Sequence, residues 1–284
     1  METNKTFRPS ISGILYTSGI SLFYLLLIYI FFSSNPHLMK QLIQVQIVII
    51  LVCCTPLMDI FMTMYFGYRR VLTEEEREHL LTPYYEVKEQ IEIMSGKKQF
   101  IPFKVHVDDD MSINACAYGI RSIAINRGSI YAFSPDELKG VIAHEMGHLF
   151  HGDSITGCII VFGNIALFTL TFIMGIVQVI MEITGFIVGN DDLHHFSRFI
   201  RWLFTTIKKI CLYTFQCLNS FYQRQREFAA DKFAFDIGYG EELRQALITI
   251  SKSDLSVLPL HERIIMSHPR IQSRIYRLEQ YLGY

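Results

Sequence analysis

Residues 141–153 read VIAHEMGHLFHGD, and the fold turns on whether His144 and His148 form a metal-binding pair. A helix advances about 100° per residue, so histidines four apart lie within roughly 40° of each other on one face. Both imidazoles then reach one ion. Glu145 falls to the flank of the pair, too far round to be a natural third ligand yet placed to hold a water as a base. A chain of 284 residues spells HExxH by chance roughly once in a hundred cases, so the rest of the sequence must supply the context.

The helix itself is well marked. Ser134 is its predicted N-cap, Pro135 its first position, and Glu137 closes a capping box. A catalytic zinc usually has three protein ligands and an open position. His151 shares the helix face, but a residue one turn further along lies about 5 Å from where the ion would sit. The metzincin spacing fails as well, because His151 occupies the glycine position and Ser154 the third-histidine position. His151 is read instead as a polar residue near a membrane boundary.

RQREFAADKFAFD, residues 224–236, admits two readings on its residues alone. In one, Glu227 enters the metal sphere and Asp231, a turn later, hydrogen-bonds the outer nitrogen of a ligating histidine. In the other the segment is a solvated face whose ion pairs come from Arg224, Arg226 and Lys232.

Half of the residues are hydrophobic, 13% are aromatic, and mean hydropathy is +0.26, above what a soluble domain usually shows. Part of the chain is expected in lipid. The net charge of -1 and the lack of a basic block with interleaved aromatics exclude a nucleic-acid surface. Of six cysteines, Cys53, Cys54, Cys158, Cys211 and Cys217 sit in apolar runs, where a thiol behaves as a small hydrophobe. No disulfide framework follows.

Uncharged stretches at 11–32, at 43–66 (except Asp59) and at 155–188 are predicted spans, the third running straight on from the HEMGH helix. A fourth, 199–221, contains Arg201, Lys208 and Lys209, and central lysines are costly in hydrocarbon unless they snorkel or face protein. Residues 148 and 227 meet only if the chain crosses an even number of times between them, which favours the fourth span or a re-entrant pair. Lys5 and Arg8 precede the first span, Arg69 and Arg70 follow the second, and Lys40 alone lies in the loop between, so the N-terminus and the segment from Gly67 onward are placed in the cytoplasm.

The expected organisation is a membrane hairpin over 1–66, the first catalytic part over 67–154, a second hairpin over 155–221 and the second catalytic part over 222–284. Thr82 and Pro83 signal a helix ending near Gly96; IPFKVHV alternates as a half-buried strand; INACAYG and SIAIN are two more short strands around Gly119 to Arg121. Ile271, Ile275, Leu278 and Leu282 mark an amphipathic last helix. An extended peptide beside the HEMGH helix is best held by adding to a sheet edge, and Asn114, Ala115, Cys116 and Ala117, running on to Tyr118, are the candidate edge.

Four segments, INACAYG, SPDELKGVIAHEMGHLFHGD, RQREFAAD and SHPRIQSRI, in this order with two apolar hairpins, resemble the HtpX-type integral-membrane zinc metalloproteases, relatives of the CAAX prenyl proteases. The resemblance covers nearly the whole chain. It implies an α+β fold: about four transmembrane helices and a mainly helical, gluzincin-like zincin domain with a small β-sheet. It also implies one Zn2+ per chain held by His144, His148 and Glu227, Glu145 as catalytic carboxylate, and Asp231 orienting a ligand histidine. His268 of SHPRIQSRI becomes an oxyanion stabiliser or a latch near the zinc, with a helix-cap role beside Pro269 as the alternative. Arg270, Gln223, Cys116 and Tyr118 depart from the family's usual residues, and none is a proposed ligand.

The implied function is stress-response protein quality control: endopeptidase cleavage of unfolded or damaged membrane proteins, in a bacterial inner membrane with the catalytic domain facing the cytoplasm. Its partners are polypeptides and the lipid bilayer. Alternatives are a narrow-specificity protease of CAAX-processing or peptide-releasing type, and a non-catalytic zinc-binding membrane adaptor, which would have no use for Glu145. A transporter would want paired ionisable groups near mid-bilayer, and the spans offer only Asp59, Lys208 and Lys209.

Overall fold

Helix ends decide how the apolar stretches are divided. The computed structural model describes residues 11–96, 103–162, 165–188, 191–253 and 269–284. Helix α1 is Ile11–Phe32; α2 is Pro36–Cys53; α3 is Pro56–Phe66. The uncharged run expected to cross as one segment over 43–66 is therefore two helices. Asn35 caps α2 by accepting the Leu38 N–H at 3.1 Å, and Pro36 occupies the first turn, so this helix begins seven residues before the expected 43 and takes Lys40 out of the loop. Pro56 starts α3 anew, since proline cannot donate to the turn before it.

Among the described residues, two helices carry a window long and apolar enough to cross a bilayer, Gly13–Ile30 in α1 and Pro36–Cys53 in α2. Leu15, Leu22, Leu26, Tyr29 and Ile30 of α1 and Val48 and Leu51 of α2 are exposed on the outside. The other two expected spans take a different form. The 155–188 stretch does not continue the HEMGH helix: that helix stops at Gly152, φ 77°, and is followed by α8, Asp153–Phe162, and α9, Ile165–Val188. The 199–221 stretch is the middle of one 46-residue helix, α10, Asp191–Asp236, about 69 Å long. Arg201 on it pairs with Glu182 of α9.

The polar part starts with a short helix α4, Glu74–Glu76, a π-helical turn Arg77–Leu81, and α5, Thr82–Ser95. Thr73 and Glu76 form a capping box, so the helical run opens nine residues before the expected Thr82 signal. Three strands follow: β1 Lys104–Asp108, β2 Ala115–Tyr118 and β3 Ser122–Asn126. Ile101 and Pro102 of the expected first strand lie outside the described residues. The sheet order is β1-β3-β2, with β1 parallel and β2 antiparallel to β3. Every residue of central β3 is buried, and β2 is an edge.

Helix α6, Arg127–Ala132, leads to α7, Pro135–His151, where Ser134 and Glu137 make the expected capping box. Helices α11, Gly240–Ser253, and α12, Ile271–Leu282, complete the fold. Leu138, Ile142 and Met146 of α7 pack in one core with Val87 and Ile91 of α5, Ile123 and Ile125 of β3, Phe233 of α10, Leu247 of α11 and Leu278 of α12. Burying five large apolar side chains on one helix, Leu138, Val141, Ile142, Met146 and Leu149, at about 1.5–3 kcal/mol each, fixes α7 as the central element and gives its histidines a rigid base.

Candidate metal centre

The stripe of α7 that lines a cavity walled by β2 carries His144 and His148, with ring centroids 4.8 Å apart and planes at 86°. Their Nε2 atoms are 3.2 Å apart. Glu227 of α10 approaches both, Oε2 at 3.4 Å from His144 Nε2 and Oε1 at 3.5 Å from His148 Nε2. One ligand atom from each of the three lies within 4.8 Å of the others. Glu227 and Asp231 are buried, at 6% and 1% exposure, so neither belongs to a solvated face.

The outer nitrogens fix the tautomers. His144 Nδ1 donates to Asp231 Oδ1 at 3.0 Å, and His148 Nδ1 donates to Asp153 Oδ2 at 2.8 Å. Both Nε2 atoms then turn inward toward the Glu227 carboxylate, an arrangement suited to a cation, and Arg274 Nη2 also comes within 3.4 Å of His144 Nε2. Burial opposes charging His148, yet the Asp153 and Glu227 carboxylates outweigh it and hold this imidazole up at about 10. For His144, burial and the Arg274 charge push down, and Asp231 with Glu227 raise it nonetheless.

Three residues of the site were not assigned to it from the sequence. Asp153 follows the Gly152 break directly, so the end of α7 is what turns its carboxylate back onto His148. Arg226 pairs with its other oxygen, Nε to Oδ1 2.7 Å, and lies over the Tyr222 ring, which stacks on Tyr16 of α1 with centroids 3.7 Å apart. Arg274 of α12 forks onto Asp231 at 2.6 and 2.9 Å and reaches Glu227 Oε2 at 3.1 Å. Burial works against the Asp231 charge, but Arg274 and His144 keep its carboxyl below the usual range. The signals were present: HGD after the helix, and the arginine of SHPRIQSRI. Neither announces burial.

Glu145 is buried beside the pair and lines a cavity of about 890 Å³ with His144, His148, Glu227 and Arg274. Residues Asn114, Ala115, Cys116, Ala117 and Tyr118 form one wall of it. The Asn126 N–H donates to the Asn114 carbonyl at 3.1 Å, which sets the phase of the ladder. By the alternation of antiparallel pairing, the backbone groups of Ala115 and Ala117 face the open edge. Burial pushes the Cys116 thiol up to about 11, which suits packing rather than nucleophilic chemistry. Met62 and Phe66 of α3 and Cys158 and Phe162 of α8 extend the cavity toward the apolar helices. His151 stands apart, edge-on to Phe233 at 5.9 Å. His268 lies outside the described residues.

A histidine pair on a core helix, met by a carboxylate from a second helix beside a sheet edge, defines the HExxH class of metallopeptidase folds. Within that class the chain belongs to peptidase family M48, whose model matches residues 84–282. It is 25% identical over 225 residues to a protease HtpX homolog of Fusobacterium nucleatum, covering 68% of each chain. To protease HtpX of Idiomarina loihiensis it is 27% identical over 175 residues, 56% of this chain and 57% of that one. To protease HtpX of Salmonella newport it is 31% identical over 150 residues, half of each chain. The crystal structure of Ste24p from S. mikatae shares the fold at a TM-score of 0.51 and 22% identity, over 92% of this chain and 62% of that one.

Proposed function

We propose that this chain is a membrane-embedded zinc endopeptidase that cleaves unfolded or damaged membrane proteins. The observation that carries the reading is the donor geometry: separations of 3.2, 3.4 and 3.5 Å among two imidazole nitrogens and a carboxylate. Ligands about 2.0–2.1 Å from a tetrahedral zinc stand about 3.4 Å from one another. The two nitrogens already have that spacing, and each meets a different Glu227 oxygen, so a small turn of the carboxylate would complete the set of His144, His148 and Glu227. When bound, zinc supplies Lewis acidity, polarising a peptide carbonyl and lowering the pKa of a water toward about 7.

The chain's own residues do the rest. Glu145 takes the proton of the attacking water on its carboxylate and returns it to the leaving amine. Asp153 and Asp231 hold the two imidazoles in register, and Arg274 keeps Asp231 charged and pairs with Glu227. The open edge of β2 takes the substrate as an added strand, through Ala115 and Ala117, so recognition depends on extension rather than sequence. That property suits unfolded chains.

Helices α1 and α2 form one membrane hairpin, and α9 with the N-terminal half of α10 the second, between catalytic parts 67–154 and 222–284. The basic residues Lys5, Arg8, Arg69 and Arg70 support a catalytic part on the cytoplasmic side, at the inner membrane of a bacterium. The test is cleavage of an unstructured protein by the detergent-purified, zinc-loaded chain and its Glu145→Gln variant. Loss of about a hundredfold or more in the variant, with zinc retained, supports the reading. Equal rates, or no cleavage by the wild type, overturn it.

A further inference from the structure

Asp59 is the one acidic residue of the uncharged run at 43–66, and the structure gives it a use outside the metal centre. It sits in the first turn of α3 at 3% exposure. Its Oδ2 accepts the Ile120 N–H and its Oδ1 the Arg121 N–H, both at 3.2 Å. These are the residues of the turn joining β2 to β3.

The clamp on this turn is close and two-sided. Gly119 has φ +60, and a Cβ there would stand 2.5 Å from the Asp59 carboxyl carbon. Ser154 of α8 donates to the Gly119 carbonyl at 2.7 Å. One turn along α3, Thr63 shares a 3.0 Å hydrogen bond with the Tyr118 hydroxyl, which also meets His106 Nδ1 at 2.8 Å. The far end of β2 is thus fixed by α3 and α8, the two helices whose Met62 and Cys158 also line the cavity.

Two backbone N–H groups aimed at one buried side chain require an acceptor-only group. A carboxylate serves both; an amide would turn its own N–H2 toward one of them. Because the turn sets where β2 ends, it also sets where the backbone of Ala115 and Ala117 stands relative to His144 and Glu145.

We propose that Asp59 is a positioning residue for the substrate strand, holding β2 at the angle that an added peptide needs. This inference rests on the endopeptidase reading and deepens it: part of the binding of long, extended substrates is supplied by α3, the helix that follows the first membrane hairpin. The test compares wild type and Asp59→Asn, both zinc-loaded. One substrate is an unstructured protein that spans β2, the other a chromogenic dipeptide that spans only the scissile bond. Amide hydrogen exchange is followed over 115–125 and over α7.

The expected result is a KM for the protein substrate raised at least about tenfold, the equivalent of one charge-assisted hydrogen bond, with dipeptide kcat/KM within about twofold. Zinc content stays unchanged, and exchange quickens at 115–125 but not in α7. Equal losses on both substrates, or an unchanged KM, overturn the proposal. If the wild type cleaves neither substrate, the endopeptidase reading fails; the exchange arm still reads Asp59, and unchanged exchange at 115–125 overturns its role.

Discussion

Replacing Asp153 by alanine probes how far the metal centre depends on groups that never touch the ion. Its Oδ2 orients His148 at 2.8 Å and its Oδ1 pairs with Arg226 at 2.7 Å, so the variant removes two contacts of different kinds. Loss of the acceptor on a ligand's outer nitrogen typically weakens metal binding 10–100-fold, about 1.4–2.7 kcal/mol. Loss of the carboxylate also leaves Arg226, 13% exposed at its side chain, with the Tyr222 ring as its remaining contact among the described residues. Breaking a fully buried pair costs about 3–5 kcal/mol; with the ring contact kept, about 2–3 kcal/mol of stability is expected to go. Asp153→Asn retains an acceptor for His148, so its zinc affinity should fall between wild type and alanine. The assay is competition for zinc against a chromophoric chelator in detergent at pH 7, with thermal unfolding followed in parallel. A folded alanine variant that binds zinc within about twofold of wild type would refute the reasoning.

Two further outcomes follow from the packing and the charges. Gly140 lies where α7 meets α11, and a Cβ there would come within 2.2 Å of the Leu243 nitrogen, so Gly140→Val should destabilise the fold by about 3 kcal/mol or more, read by chemical denaturation. Glu76, held by Arg69, has its carboxyl lowered from 4.5 to about 2. A depressed folded-state pKa gives stability that is present above pH 4.5 and lost as pH falls toward about 2. Glu76→Gln should therefore be less stable than wild type by about 1–2 kcal/mol at pH 7, and the gap should close over that window in pH-dependent unfolding.

What could be read from the sequence was local. The Ser134 and Glu137 capping box, the His144 and His148 spacing, the Gly96 helix end and the last helix from Ile271 all depend on neighbours a few residues away, and each stands where its spacing put it. The hydropathy runs were less informative, because averaging over 43–66 hides Pro56, and reading 155–188 as a continuation of the HEMGH helix passes over Gly152, single residues that restart or end a helix. Asn35 followed by Pro36 was a legible start signal that the charge-free run obscured. Asp153, Arg226 and Arg274 were not legible, since a charged residue next to a turn or on an amphipathic helix is solvent-facing by default, and only tertiary packing buries it. Asp59 shows the same limit from the other side. It marked a flaw in an apolar run, and in the structure it holds a turn of the sheet.

X-ray absorption at the zinc edge, on wild type and Glu227→Ala, tests the central claim most directly. The account predicts one zinc per wild-type chain with two imidazole nitrogens and carboxylate oxygen at about 2.0–2.1 Å, and loss of the carboxylate signal with much weaker retention in the variant. Sulfur in the wild-type coordination sphere, or an unchanged zinc environment in Glu227→Ala, would contradict it.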